Sequence, residues 1–206
     1  MSLITIMLLK NLIKISNENH GKIDVRGLSI NSKKIKKGFI FFAIKGNYSN
    51  GENFINEAIN NGAVVIICST KCKFISNRAV IIKTNKIRNL LSEIASKFYS
   101  LKPKNLIAVT GTNGKTSVAD FFYQIFSHNK IAVASIGTLG IKYKKKNIKT
   151  NLTSPDTITL HKNLEKIKIN KIDNVIIECS SHGLSQNRLD HLKFKAGIFT
   201  NFSQDH

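Results

Sequence analysis

Cysteine is scarce in this 206-residue chain: Cys68, Cys72 and Cys179 make an odd number with no C-x-x-C pair, which supports neither a disulfide framework nor a zinc site. Apolar runs are short. None reaches the ~18 residues of a membrane span, so a soluble protein is expected, with the cytoplasm as its default compartment and no membrane partner. Residues 1–15 are apolar, but Lys10 interrupts them, no basic stretch precedes them and no small-residue cleavage site follows. Those are not the features of a secretory signal, and a first helix is expected there. Acidic residues are few, 12 against 32 Lys and Arg, for a net charge of +20. Such an excess ordinarily suggests a polyanionic partner. Here the lysines are spread along the whole chain among abundant Ile and Asn, which is a bias of composition, and nucleic acid is not the expected partner. The densest cluster, residues 142–149 around Tyr143, reads as a solvated hairpin or loop. Proline occurs only twice, and Pro103 within Lys102-Pro103-Lys104 marks a hinge. No internal repeat stands out.

What the chain does have is Val109-Thr110-Gly111-Thr112-Asn113-Gly114-Lys115-Thr116-Ser117. Residues 106–109 ahead of it suit a buried strand, and residues 117–126 behind it have the apolar spacing of an amphipathic helix. Strand, glycine loop and helix in that order form a phosphate grip. The glycines let backbone N–H groups turn toward an anion, Lys115 supplies a charge for terminal phosphates, and the Thr116 hydroxyl can ligate magnesium. The general pattern G-x-x-x-x-G-K-[ST] asks for glycine where Val109 stands. A nucleoside triphosphate is the inferred ligand.

Two domains are expected, 1–102 and 103–206. The first reads as a small α/β unit with strands at 23–30, 39–44, 64–68 and 79–82 and helices at 52–61 and 86–99. The second alternates strands at 106–109, 131–136, 174–177 and 196–200 with helices at 115–127 and 157–167, the pattern of an open, mostly parallel Rossmann-like sheet. Ligands of such sheets gather at the strands' carboxyl ends, where Glu178 follows Val175-Ile176-Ile177 and is a candidate magnesium-side group. Because Asp205-His206 come directly after a strand and its loop, the chain is expected to be the front part of a longer protein.

The loop resembles the ATP loop of the Mur ligases and of the related folylpolyglutamate synthases. Asn31-Ser32-Lys33, followed by Gly38-Phe39-Ile40-Phe41-Phe42-Ala43-Ile44-Lys45-Gly46 and Ala58-Ile59-Asn60-Asn61-Gly62-Ala63, is similar to the Mur N-terminal signature, with Asn31 and Lys33 in place of the usual Asp and Arg. Downstream, Leu152-Thr153-Ser154-Pro155-Asp156, Glu178-Cys179-Ser180-Ser181-His182-Gly183-Leu184, Gln186, Arg188, Thr200-Asn201 and Asp205-His206 are similar to the family branch that adds the third residue of the muramyl peptide. The resemblance covers about residue 23 to the last. Folylpolyglutamate synthases share the loop but lack a separate uridine-binding domain, and they remain the alternative amide-forming ligase. A basic nucleic-acid-binding module is the alternative from another class.

The resemblance implies an ATP-dependent amide synthesis through an acyl phosphate, using ATP and Mg2+, in peptidoglycan synthesis. By carry-over, Gly111, Thr112, Asn113, Gly114, Lys115, Thr116, Ser117 and Asn201 would meet the nucleotide, and Thr116, Glu178 and His206 the metals, with Lys115, Glu178 and His206 serving catalysis. Thr153, Ser154, Ser180, Gln186 and Arg188 would hold the UDP-N-acetylmuramoyl dipeptide, and Ser32 its uridine end. The added amino acid is open between lysine and meso-diaminopimelate, the latter being the expectation. A monomer is expected, and the 206 residues alone are expected to bind nucleotide weakly and to be inactive.

Overall fold

A computed structural model of the chain describes residues 5–46, 49–144, 146–149 and 153–203. The chain divides into two compact units, Met1–Phe98 and Tyr99–His206, a division just ahead of the Lys102-Pro103-Lys104 segment.

In the first unit, the described residues 5–15 do not make one helix. Strand β1 (Met7–Leu8) is followed by a single helical turn, α1 (Leu9–Leu12), whose Leu9 and Leu12 are buried, and Ile13 returns to extended backbone. A second short helix, α2 (Glu18–Gly21), has no counterpart among the expected elements; the Asn17 side chain caps it by accepting from the N–H groups of Asn19 and His20. The strand expected at 23–30 is broken. β2 (Asp24–Val25) pairs antiparallel with β1, whereas β3 (Gly27–Ser29) joins another sheet beside β4 (Phe39–Phe42). Gly27 suits that crossing, since a Cβ there would lie 2.4 Å from the Phe39 ring. After a 3-10 turn at Gly51–Phe54 come α3 (Ile55–Asn60), β5 (Ala63–Cys68), β6 (Val80–Lys83) and α4 (Ile87–Phe98). The sheet order is β3-β4-β5-β6, all parallel. Phe41, Ile55, Ala58, Ile59 and Ile66 fill a core between the sheet and α3. Unbroken apolar runs such as Ala63–Cys68 suit strands buried on both faces.

The second unit comprises β7 (Asn105–Thr110), α5 (Lys115–His128), β8 (Val133–Gly137), β9 (Gly140–Tyr143), β10 (Lys146–Ile148), α6 (Thr157–Ile169), β11 (Asn174–Glu178), α7 (Ser181–Ser185) and β12 (Ala196–Phe199). Its sheet runs β10-β9-β8-β11-β7-β12. β8, β11, β7 and β12 are parallel, and β9 and β10 form an antiparallel hairpin on one side. The lysine-rich segment is thus a hairpin, with Ile141 and Tyr143 buried and β10 exposed. Alternation along β11 sends Ile176 toward α5 with Val109 and Ala119, and sends Val175 and Ile177 toward α6 with Leu160, Leu164 and Ile167. Helices therefore cover both faces of a mostly parallel sheet, as the alternation of elements predicts. Cys68, Cys72 and Cys179 are free and buried. Burial pushes the Cys68 thiol up to about 12 and the Cys179 thiol up to about 11, which leaves both protonated at neutral pH. No described helix is long and apolar enough to cross a membrane.

Candidate functional site

All four parallel strands of the second unit end on one edge, and each delivers residues to one cluster there. β7 leads into the glycine loop. Gly111 sits at φ +135° and Gly114 at φ +82°, backbone states in which a side chain is strained. At Gly111 a Cβ would also lie 2.1 Å from Thr200 Oγ1. That closeness exists because the residues after β12 brace the loop: the Asn201 carbonyl accepts from Thr112 N–H at 3.0 Å, and Asn201 Oδ1 accepts from Asn113 N–H at 2.9 Å. The Thr200 hydroxyl donates to the Asn113 carbonyl at 2.6 Å.

α5 starts at Lys115 with Gly114 as its N-cap and no side-chain acceptor on its first N–H groups. α6 and α7 differ: Asp156 caps the first and Ser180 the second. The uncapped end of α5, where the helix dipole is positive, suits an anion held against backbone N–H groups. The Lys115 ammonium donates to the carbonyls of Gly111 and Thr112, so it lies folded over the loop it would serve. Ser117 is exposed in the first turn.

Glu178, the last residue of β11, is 2 % exposed. Its Oε2 accepts from the Thr116 hydroxyl at 2.9 Å and from the Thr138 hydroxyl at 3.0 Å, and its Oε1 accepts from Thr138 N–H at 3.0 Å. Among the described residues the ion pairs are Lys97–Glu93, Lys142–Asp120 and Lys168–Asp173, none of which reaches Glu178. A buried carboxylate given neutral donors and no cation is costly unless a cation joins it. Thr116 and Glu178 offer oxygen ligands only, the donor set that magnesium prefers, so the residues present fit that ion.

Next to it, the Ser154 hydroxyl donates to the Glu178 carbonyl at 2.9 Å and lies 3.1 Å from Ser180 Oγ. The Arg188 guanidinium donates to the Ser154 carbonyl at 2.6 Å and, from two nitrogens, to Gln186 Oε1 at 3.2 and 2.7 Å. Thr153 joins through its hydroxyl, 3.2 Å from that of Thr138. Thr153, Ser154, Ser180, Gln186 and Arg188 thus form one patch continuous with Glu178 and the glycine loop. Ser32 belongs to the first unit. There its hydroxyl donates to Glu57 Oε2 at 2.5 Å and its carbonyl accepts from the Asn61 side chain at 3.0 Å. His206 lies outside the described residues, as do Leu152 and Asp205.

Sequence reasoning missed Thr138 and the bracing hydroxyl of Thr200. The signal was available: Thr138 directly follows the apolar strand β8, just as Glu178 closes β11, and carboxyl ends of parallel strands are where ligand groups collect.

The chain is similar to known proteins. Residues 109–206 match the Mur ligase middle domain, and residues 24–99 match the Mur ligase family catalytic domain. Proteins named UDP-N-acetylmuramoyl-L-alanyl-D-glutamate--2,6-diaminopimelate ligase are similar to this chain in several bacteria. The one from Rickettsia conorii is 41% identical over 187 residues, covering 89% of this chain and 39% of that protein. The one from Brucella melitensis is 36% identical over 186 residues, covering 90% and 38%. A solved structure of a ligase of the same name superposes with a TM-score of 0.84 at 26% identity, over 98% of this chain and 41% of that one. MurF from Acinetobacter baumannii superposes with a TM-score of 0.52 at 18% identity, over 77% and 31%, a likeness of fold alone. The chain spans about two fifths of the length of the curated relatives it matches.

Proposed function

Since this chain belongs to the Mur ligase family, we propose that it supplies the ATP-binding and acceptor-binding parts of a ligase that adds the third residue, meso-diaminopimelate, to UDP-N-acetylmuramoyl-L-alanyl-D-glutamate in peptidoglycan synthesis. One observation carries the reading: a single hydrogen-bonded network joins the phosphate loop, through Thr116 and Glu178, to Thr153, Ser154, Ser180 and Arg188. A ligase that first phosphorylates a carboxylate needs its nucleotide and its acceptor within reach of each other.

In this reading the acceptor carboxylate attacks the γ-phosphorus of ATP, the β–γ bridge breaks with ADP leaving, and an amine then displaces phosphate from the acyl carbon to form the amide. Lys115 leaves the loop carbonyls for the transferring phosphoryl group and offsets its charge. Loop and α5 N–H groups orient the triphosphate, with Asn201 fixing the loop. Arg188, set by Gln186, holds the peptide end of the acceptor beside Ser154 and Ser180, and Ser32 serves the uridine end. Thr116 and Glu178, joined by His206, would hold Mg2+, which when bound screens the phosphate charge. We place the protein in the cytoplasm as a monomer acting on small molecules.

The test is calorimetry of the 206-residue chain with UDP-N-acetylmuramoyl-L-alanyl-D-glutamate, and separately with ATP, each with and without Mg2+. Saturable heat for both, with the acceptor heat lost in Arg188→Ala, is expected. No heat from either ligand would overturn the reading.

A further inference from the structure

Among the described residues, two of the three hydrogen bonds on the buried Glu178 carboxylate come from one residue, Thr138, which lies in none of the short motifs read from the sequence. Its backbone N–H holds Oε1 while its hydroxyl reaches Oε2. The residue before it is shaped for the same purpose. A Cβ on Gly137 would lie 2.0 Å from Glu178 Oε1 and 2.4 Å from its Cδ, so any side chain there would displace the carboxylate.

The Thr138 hydroxyl has two oxygen neighbours, Glu178 Oε2 at 3.0 Å and Thr153 Oγ1 at 3.2 Å, and a single proton. Thr138 is the donor in both contacts, so its one proton is shared between the carboxylate and Thr153. Through that hydroxyl the Glu178 carboxylate is tied to Thr153, one residue from Ser154.

We propose that Thr138, with Gly137 clearing the space, is a positioning residue that holds Glu178 toward the metal and phosphate side and sets the hydroxyl of Thr153 on the acceptor side. The inference rests on the ligase reading above. It deepens that reading by naming the residue through which the two halves of the site are coupled. Thr138 touches neither nucleotide nor acceptor in this account. It acts through Glu178 and Thr153.

The experiment measures the Mg2+ concentration at which the 206-residue chain half-saturates with a fluorescent ATP analogue, together with acceptor affinity by calorimetry. Wild type, Thr138→Val and Thr138→Ser are compared. Groups that hydrogen-bond a metal ligand change metal affinity by roughly 10–100-fold when lost, so Thr138→Val is expected to raise the Mg2+ midpoint at least tenfold and weaken the acceptor, and Thr138→Ser to restore both. Should Thr138→Val melt below the assay temperature, Thr138→Ser and Thr138→Cys take its place, because the thiol is a poor donor of similar size. A chain whose nucleotide binding ignores Mg2+ would take down the ligase reading and this inference with it. A normal Mg2+ response that is the same in wild type and in the variants lacking the hydroxyl overturns this inference alone.

Discussion

The two units use the same materials, parallel strands with helices against them, and spend their polar side chains differently. In the first unit such groups close on one another. Ser32 bonds Glu57, Asn61 bonds the Ser32 carbonyl, and Glu52 accepts from Ser69 N–H at 2.9 Å, each pair tying one turn to another. In the second unit they converge. Glu178 gathers donors from the first turn of α5 and from the end of β8, and α5 presents a helix terminus with no side-chain cap. Closed pairs brace a fold and ask for nothing more. A buried carboxylate with no ion-pair partner among the described residues and a helix terminus with no side-chain cap leave room for a group from outside the chain, which is the part that the proposed nucleotide would play.

The strongest way to break this contrast is at Gly111. Its φ of +135° and the 2.1 Å approach to Thr200 leave no room for a methyl group, so Gly111→Ala is expected to pull the loop from its brace and cost about 3 kcal/mol in a thermal or urea melt. A variant as stable as wild type would show that the loop is not held as described. Lys115→Ala comes next and should act oppositely. Among the described residues the ammonium bonds only loop carbonyls, so the melt should stay unchanged while ATP affinity falls about 100-fold, the scale of one hydrogen bond to a charged group. Equal ATP affinity in the variant would remove the loop from the site.

Much of the second unit was legible in the chain itself, because its signals are local: apolar runs of strand length, a glycine loop between strand and helix, and Glu178 closing a strand. The first thirty residues were less so. An apolar spacing such as Leu9 and Leu12 fits a long helix as well as a single turn, and only pairing with Asp24 and Val25 decides that Met7 and Leu8 are extended. The break at Arg26 has the same origin, since one stretch serves two sheets. The position of Thr138 after an apolar strand was legible, but its partner lies 40 positions away, and no periodicity reveals that pairing.

A smaller effect separates the units by pH. His161 on α6 is buried, and neither ring nitrogen meets a hydrogen-bond partner of good geometry among the described residues. Burial, with Lys102 and His191 nearby, lowers its pKa from 6.5 to about 3. Above pH 6.5 both folded and unfolded chains carry it neutral. Between 6.5 and 3 the unfolded chain binds a proton that the folded one refuses, so stability falls as the pH drops, by at most about 1.4 kcal/mol per unit. Hydrogen exchange at pH 7 and pH 5 should show protection lost in α6 and β11, with α3 and β5 unchanged, and His161→Leu should remove the difference. Equal loss in both units would assign the acid sensitivity elsewhere.

The mildest test is at Ser32, where the reading of the first unit as self-braced meets the expectation of a uridine contact. The hydroxyl is buried and already donates to Glu57, whose other surroundings are partly open to water. Removing it leaves a half-buried carboxylate short of one donor, which costs about 1 kcal/mol of stability with no ligand present. Glu57→Gln should cost a similar amount, and the double variant should cost little more than either, because both singles break the same bond. A double-mutant cycle in urea melts measures that coupling directly. Additive losses would mean that the two side chains are energetically independent. A uridine contact at Ser32 would then act on its own, and Ser32→Ala would weaken the nucleotide-sugar acceptor without first loosening the turn that carries it.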